Sequence, residues 1–311
     1  MIRNYELVIL GELMKKVSYY KQSNRENTRQ IINWQDHDLG DSLFYSYRST
    51  LYNSNTFPSS LHYHNYYELV VLEEGNIDYI CESTCVHPKI GDILLIPPGM
   101  FHMSKIGCEE THYRRHVFYL YPDAFDRWEC GVLTSFLKDA SKGLTVFQLS
   151  EKDRALLLLL LHRLSEALKQ EKKTTYLALA KGLILQIFFL INESNSSYGD
   201  PVAALPENLL AIKQYIEQTF MEISSVKEVA DHFFYSREYV SRLFRQHFNT
   251  TVSEYIRARR IAYSQSLIEQ GYSISEACYQ SGFENMSTFI RSFRNISGMT
   301  PSEYRKNQKQ A

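Results

Sequence analysis

SSVKEVADHFFYSREYVSRLFRQHFNTTVSEYIR at residues 224–257 and YSISEACYQSGFENMSTFIRSFRNISGMTPSEYRK at residues 272–306 are one pattern written twice, and they decide how this chain is read. Arg242 falls on Arg291, Phe244 on Phe293 and Arg245 on Arg294, and Thr251-x-Ser253-Glu254-Tyr255 falls on Thr300-x-Ser302-Glu303-Tyr304, all at an offset of 49 residues. Upstream, Glu228 falls on Glu276 and Ala230 on Cys278 at an offset of 48, so one residue is gained in the turn between them. A repeat of this length marks one supersecondary unit used twice.

Each copy reads as two short helices around a tight turn. In the first, Ser224 or Ser225 caps a helix carrying Val226, Val229, Ala230 and Phe233 at helical spacing. A turn at Phe234-Tyr235 follows, and Ser236 caps a second helix with Val240, Leu243 and Phe244 inward. In the second copy, Ser273 caps a helix with Ile274, Ala277 and Cys278 inward. Gly282 supplies a left-handed turn, and Asn285 caps a helix burying Phe289 and Phe293. This is the helix-turn-helix pattern, whose second helix enters the DNA major groove with its N-terminal residues at the base edges. The outward sets predicted to meet DNA are Ser236, Arg237, Glu238, Tyr239, Ser241, Arg242 and Arg245, then Asn285, Met286, Ser287, Thr288 and Arg291. Residues 252–270 read as one helix joining the copies. At about 1.5 Å per residue it would hold the two reading helices roughly one DNA turn, about 34 Å, apart.

Ala230, Ser236, Arg242, Phe244 and Arg245, then Ser281-Gly282-Phe283-Glu284, Phe289, Arg291, Phe293 and Gly298-x-Thr300-Pro301-Ser302-Glu303-Tyr304-Arg305, carry a resemblance. Residues of about 207–307 resemble the DNA-binding domain of the AraC/XylS family of bacterial transcription regulators. The resemblance implies base-reading positions at Glu238, Ser241, Arg242, Met286, Ser287, Thr288 and Arg291. Arginines there grip guanine or hold phosphate, a glutamate accepts from a cytosine amino group, and Met286 meets a thymine methyl or packs.

Charge alone does not mark a nucleic-acid binder, because the 311-residue chain has a formal net charge of −1. Residues 207–311 hold 13 Lys/Arg against 11 Asp/Glu, so the repeat-bearing part is only weakly basic. DNA affinity is then expected to come from placed contacts and dimerisation rather than from bulk charge. Five cysteines without a paired C-x-x-C arrangement point to reduced thiols in a cytoplasmic protein. The apolar runs at 156–161 and 183–191 fall short of the roughly 20 residues of a membrane span, and Glu6 and Glu12 argue against a signal peptide.

Residues 1–40 read as an N-terminal helical extension, with Leu7, Leu10, Met14 and Val17 at helical spacing. From Leu43 the period becomes two. The stretches 43–49, 66–73, 77–82, 92–96 and 113–121 are short, rich in aromatic and β-branched residues, and separated by Gly, Pro and Asn, the signature of a small β-barrel or jelly roll. Within them stands His62-x-His64-x3-Glu68-x6-Gly75, followed by Gly91-x5-Pro97-x-Gly99-x2-His102. These runs resemble the two motifs of the cupin superfamily, and regulators of the AraC type with this arrangement hold their effector inside the barrel. The resemblance implies His62, His64, Glu68 and His102, with Tyr66 beside them, as effector-binding residues. In cupin enzymes the same four positions hold a transition metal, and imidazoles with a carboxylate suit such an ion. Metal-free polar lining is the preferred reading, and no cofactor is expected.

Residues 151–170 repeat Leu157, Leu160, Leu161, Leu164 and Leu168 behind a Ser150 cap, and 175–192 is apolar almost all round and therefore expected to be largely buried. In the resembled family such helices pair two subunits. Residues 193–206 read as a flexible linker. The expected architecture is α+β: a cupin-like β-barrel with a helical dimerisation segment over 41–192, then an all-α double helix-turn-helix domain over 207–311. The expected function is a non-enzymatic, ligand-responsive, sequence-specific transcription regulator, read as an activator. It would bind double-stranded DNA and a sugar or other small metabolite, pair as a homodimer, meet RNA polymerase and avoid membranes. The alternative is a metal-dependent cupin enzyme or metal sensor fused to a DNA-binding module.

Overall fold

The computed structural model describes residues 29–39, 43–52, 61–64, 66–82, 84–106, 110–120, 133–137, 143–170, 174–198 and 205–308. By internal contacts the chain divides into two units. One is built on Leu205–Ala311, to which Leu61 and His62 also belong; the other is built on Tyr63–Ala204 with Glu26–Ser59.

Among the described residues of the N-terminal unit, ten strands form two antiparallel sheets. The strands are β1 (Arg29–Asp38), β2 (Leu43–Tyr52), β3 (Tyr67–Glu74), β4 (Ile77–Cys81), β5 (Thr84–Val86), β6 (Ile93–Ile96), β7 (His102–Ile106), β8 (Thr111–Leu120), β9 (Thr145–Gln148) and β10 (Asn195–Tyr198). The large sheet runs β1-β2-β8-β3-β6-β9-β10 and the small one β5-β4-β7. The alternation expected from Leu43 onward is what builds them, because successive side chains point to opposite faces.

On β8, Phe118 and Leu120 join Leu43 and Tyr45 of β2 and Leu69 and Val71 of β3 in the core beneath two helices, α1 (Glu151–Leu168) and α2 (Thr174–Asn192). The opposite parity of the same strand faces the small sheet. The hydroxyl of Tyr113 on β8 meets that of Tyr79 on β4 across the interior. The space between the sheets is therefore lined by residues 113, 115, 117 and 119 of β8, by even-numbered residues of β2, by Glu68, Val70 and Leu72 of β3, and by β4 and β7.

Two boundaries differ from the sequence expectation. Arg29–Asp38 is a sheet strand paired along β2, not part of a helical extension, so the barrel begins before residue 41. The helix expected in the first residues lies outside the described part of the chain. Asn195–Tyr198, expected within the linker, pairs with β9. Polar sequences such as NSSY form strands when a neighbour supplies the ladder bonds, which composition does not show.

α1 starts at the expected cap, with the Ser150 side chain accepting from the Asp153 backbone N–H, and buries the five expected leucines. α2 departs from expectation. Ala180, Leu183, Ile184, Ile187, Phe188 and Ile191 are buried, yet Leu177, Leu179 and Phe189 stay exposed, as do Leu156 and Leu159 of α1. Residues Thr175–Asn192 are also long and apolar enough by composition to cross a membrane, although one face packs on the sheet.

The C-terminal unit is helical: α3 (Glu207–Thr219), α4 (Val226–His232), α5 (Arg237–Phe248), α6 (Val252–Glu269), α7 (Ile274–Gln280), α8 (Met286–Ser297) and α9 (Pro301–Gln308). The duplicated Thr-x-Ser-Glu runs are duplicated caps. Glu254 accepts from the Thr251 backbone N–H at 2.9 Å, and Glu303 from that of Thr300 at 2.7 Å. In return each threonine hydroxyl accepts from the glutamate backbone N–H. Gly282 has φ +85°, and a Cβ there would lie 2.3 Å from the Met221 carbonyl oxygen. Only glycine fits that turn.

Candidate functional sites

The two reading helices, α5 and α8, begin as the repeat predicts. The Ser236 side chain accepts from the Tyr239 N–H at 3.1 Å, and Asn285 from the Thr288 N–H at 2.8 Å. Val240, Leu243, Phe244 and Phe248 fix the buried face of α5, and Phe289 and Phe293 that of α8. What remains outward is Arg237, Glu238, Arg242 and Arg245, with Ser241 flanking, and Ser287, Thr288 and Arg291. None of these arginines forms an ion pair among the described residues, so their guanidinium groups are available to phosphate or guanine.

The predicted set divides by role. Ser236 and Asn285 have their side-chain oxygens engaged in capping. The Tyr239 hydroxyl accepts from the Asn208 amide at 2.6 Å, and its ring lies 5.6 Å from the Arg242 guanidinium carbon, so it positions rather than reads. Met286 packs against the core of Phe289, Phe293 and Tyr304. Two features escaped the sequence reading. Gln246 joins Glu238, Ser241, Arg242 and Arg245 around an open groove. Phe234, at the turn, is 97% exposed with φ 56°. Phenylalanine at positive φ was the signal available for the second.

Inside the barrel, Glu68 of β3 meets His102 of β7 and His64. Glu68 Oε2 lies 2.9 Å from His64 Nε2 and 3.2 Å from His102 Nε2. Each ring turns Nδ1 to a backbone carbonyl, that of Tyr66 at 2.8 Å and that of Met100 at 3.0 Å. A carbonyl only accepts, so Nδ1 carries the hydrogen in both rings. Protons on both Nε2 atoms would make the carboxylate the acceptor of two imidazolium donors; burial, which pushes His64 down, opposes that charge. Burial alone would raise Glu68, but hydrogen bonds from His102 and His64 outweigh it and hold the carboxyl well below its usual range. Without the Nε2 protons, two imidazole lone pairs and a carboxylate oxygen converge. That donor chemistry suits a divalent transition metal, and the described group whose ligand atoms all lie within 4.8 Å of one another is His62, Glu68 and His102.

Tyr66 stacks on His64 with centroids 4.0 Å apart. His62 is half-buried. Residues 61–64 do not run as a strand, yet His62 and His64 both approach Glu68, as expected, by a route other than strand alternation. Among the described residues Cys81, Cys85 and Cys278 are free and buried, and burial pushes the Cys85 thiol up to about 11.

A barrel with a polar core and a pair of exposed reading helices defines a DNA-binding regulator with a ligand-type domain. Two family models match on either side of the linker: an AraC-like ligand binding domain over residues 48–188 and a helix-turn-helix domain over residues 229–307. The chain belongs to the AraC family of transcription regulators.

It is 23% identical to the HTH-type transcriptional activator RhaR of Mannheimia succiniciproducens, covering 80% of this chain and 87% of that one. It is likewise 23% identical to the melibiose operon regulatory protein of Escherichia coli K12, over 79% and 83% of the two chains. The Msm operon regulatory protein of Streptococcus mutans is 32% identical over 34% of this chain and 41% of its own length.

Proposed function

We propose that the protein is a cytoplasmic, homodimeric activator of transcription that binds a sugar or related small metabolite in its barrel and reads DNA with α5 and α8. The supporting observation is the pair of capped helices in which Arg242 and Arg291 occupy equivalent, exposed, unpaired positions. Only contact with something outside the chain gives that repetition a use. On this reading α6 spaces the two helices for successive major grooves of one duplex. The exposed Leu156, Leu159, Leu177, Leu179 and Phe189 supply the dimer surface. The melibiose operon regulator among the relatives supports a sugar as effector, and RNA polymerase is the partner an activator requires. The barrel acts as a sensor and not as an enzyme.

The test is a mobility-shift assay of the full chain on DNA selected from random sequence by the protein itself. Arg242→Ala and Arg291→Ala should weaken binding with little change in melting temperature. Retained affinity in both variants would overturn the reading.

A second reading has a specific observation behind it. His62, Glu68 and His102 offer ligand atoms within 4.8 Å of one another, suited to a divalent metal, which would supply an electrophilic centre for an effector oxygen or be the sensed species itself. Elemental analysis of purified protein separates the two readings. Stoichiometric metal that disappears in His102→Ala supports the metal, and a metal-free protein that still responds to effector excludes it.

A further inference from the structure

Arg115 lies on the inner parity of β8, two residues from Tyr113, which reaches Tyr79 of the opposite sheet. Its guanidinium carbon sits 4.1 Å from the Tyr113 ring centroid. Nη1 is screened from solvent and has no hydrogen-bond partner among the described residues. The groups acting on it most strongly, apart from burial, are Tyr113, Tyr52, Tyr79 and Tyr119. All are phenols. Burial pushes Tyr79 and Tyr113 up and Tyr119 up to about 12, so none of these three carries charge at neutral pH.

Among the described residues, other charged groups of the interior have partners. Glu68 is bound to His64 and His102, and Arg48 donates to the Tyr119 hydroxyl at 2.8 Å and to Ser46 Oγ at 3.0 Å. Arg115 is thus a permanent cation in an aromatic enclosure with no anion assigned to it among the described residues. A buried guanidinium donor left unmade costs more than the ring contact returns, and an arginine fork matches a carboxylate or phosphate in two parallel hydrogen bonds.

We propose that the barrel's effector is an anion, a carboxylate- or phosphate-bearing molecule of sugar size, whose charge is taken by Arg115 while the tyrosines line its body. This rests on the reading of the barrel as an effector site and narrows the effector's class. An acidic or phosphorylated sugar is then preferred to its neutral parent.

Two measurements test it on the full-length protein. The first needs no known effector. Inorganic phosphate replaces chloride at matched ionic strength, and the rise in melting temperature is compared between wild type and Arg115→Met. The rise should be larger in wild type, and Arg115→Met without added anion should melt no lower than wild type, because it removes an uncompensated charge. Equal responses, or a variant that melts well below wild type without anion, would show a structural arginine and overturn the proposal.

The second titrates galactose, galacturonate and galactose 6-phosphate by calorimetry. At least tenfold tighter binding of one anion than of galactose, lost in Arg115→Met, supports the proposal and tells carboxylate from phosphate. Galactose binding as tightly as both anions, or no binding by either anion, counts against it. A mobility shift on selected DNA runs alongside. If wild type shifts DNA while the anion measurements fail, only this inference falls; if wild type shifts no DNA, the regulator reading falls with it.

Discussion

The Tyr45 hydroxyl, on the outer face of the large sheet, lies 2.7 Å from Oγ of Ser165 on the helix that covers it. The same hydroxyl lies 2.7 Å from Nδ1 of His116 on β8. One buried phenol therefore joins two barrel strands to α1, the helix whose outer side carries Leu156 and Leu159. We propose that a shift of β8 around an effector would reach that helix through this contact.

Tyr45→Phe keeps the ring and removes the link. The expected cost is about 1–2 kcal/mol, because two buried polar partners lose a hydrogen bond. A lowered urea midpoint, with a smaller effector-induced change in DNA affinity, is the predicted result. An unchanged midpoint would show the hydroxyl to be replaceable by water.

Arg242→Ala and Arg291→Ala should each cost about 1–3 kcal/mol of affinity for a selected site, or roughly five- to 150-fold. Both side chains are exposed, so melting temperature should barely move. Binding measured across a salt series separates the two roles. A base contact changes sequence preference, whereas a phosphate contact lowers affinity uniformly and flattens the salt slope.

Gly282→Ala should destabilise the C-terminal unit by about 2–4 kcal/mol, since it combines positive φ with a clash against the Met221 backbone. Near wild-type melting of that unit would mean that the turn relaxes freely.

Four glutamates cap helices of the DNA-binding unit, and all four sit below their ordinary range. For Glu228 and Glu303 the first cause is a backbone N–H, from Ser224 and Thr300; for Glu276 it is the Ser273 hydroxyl. Burial would raise Glu254, but the Thr251 backbone and hydroxyl outweigh it. These carboxylates bind protons more weakly folded than unfolded. Their contribution is therefore complete above the unfolded value of about 4.3 and is lost as pH falls through the lower folded values. Unfolding followed by far-ultraviolet circular dichroism should show a flat midpoint from pH 7 to 5 and a decline below about 4. A Glu→Gln replacement at Glu254 and Glu303 should flatten that decline, and an unaltered profile would assign it elsewhere.

The C-terminal unit was legible because its determinants are local. Ser236, Asn285 and the two Thr-x-Ser-Glu caps act within one helical turn, and the repeat reports them twice. The barrel was legible only where alternation ran long enough, as in β2, β3 and β8. Arg29–Asp38 and Asn195–Tyr198 are strands because of partners distant in sequence. Arg115, beside Arg114 in the sequence, reads as a surface residue until pairing with β2 and β3 fixes which parity faces inward. The expectation for α2 failed for the opposite reason. A helix apolar all round gives no hint of which face meets the sheet, so the exposure of Leu179 and Phe189 required the packing itself. His62 and His64 both approach Glu68, but not by strand alternation, because residues 61–64 are not a strand.

The central claim is that one chain reads two successive groove segments. Hydroxyl-radical footprinting of the full-length protein on a selected site tests this most directly. Two protected segments per chain are predicted, separated by about one helical turn, with Arg242→Ala weakening one and Arg291→Ala the other. A single protected segment per chain, or two that both persist in the doubly substituted protein, would contradict it.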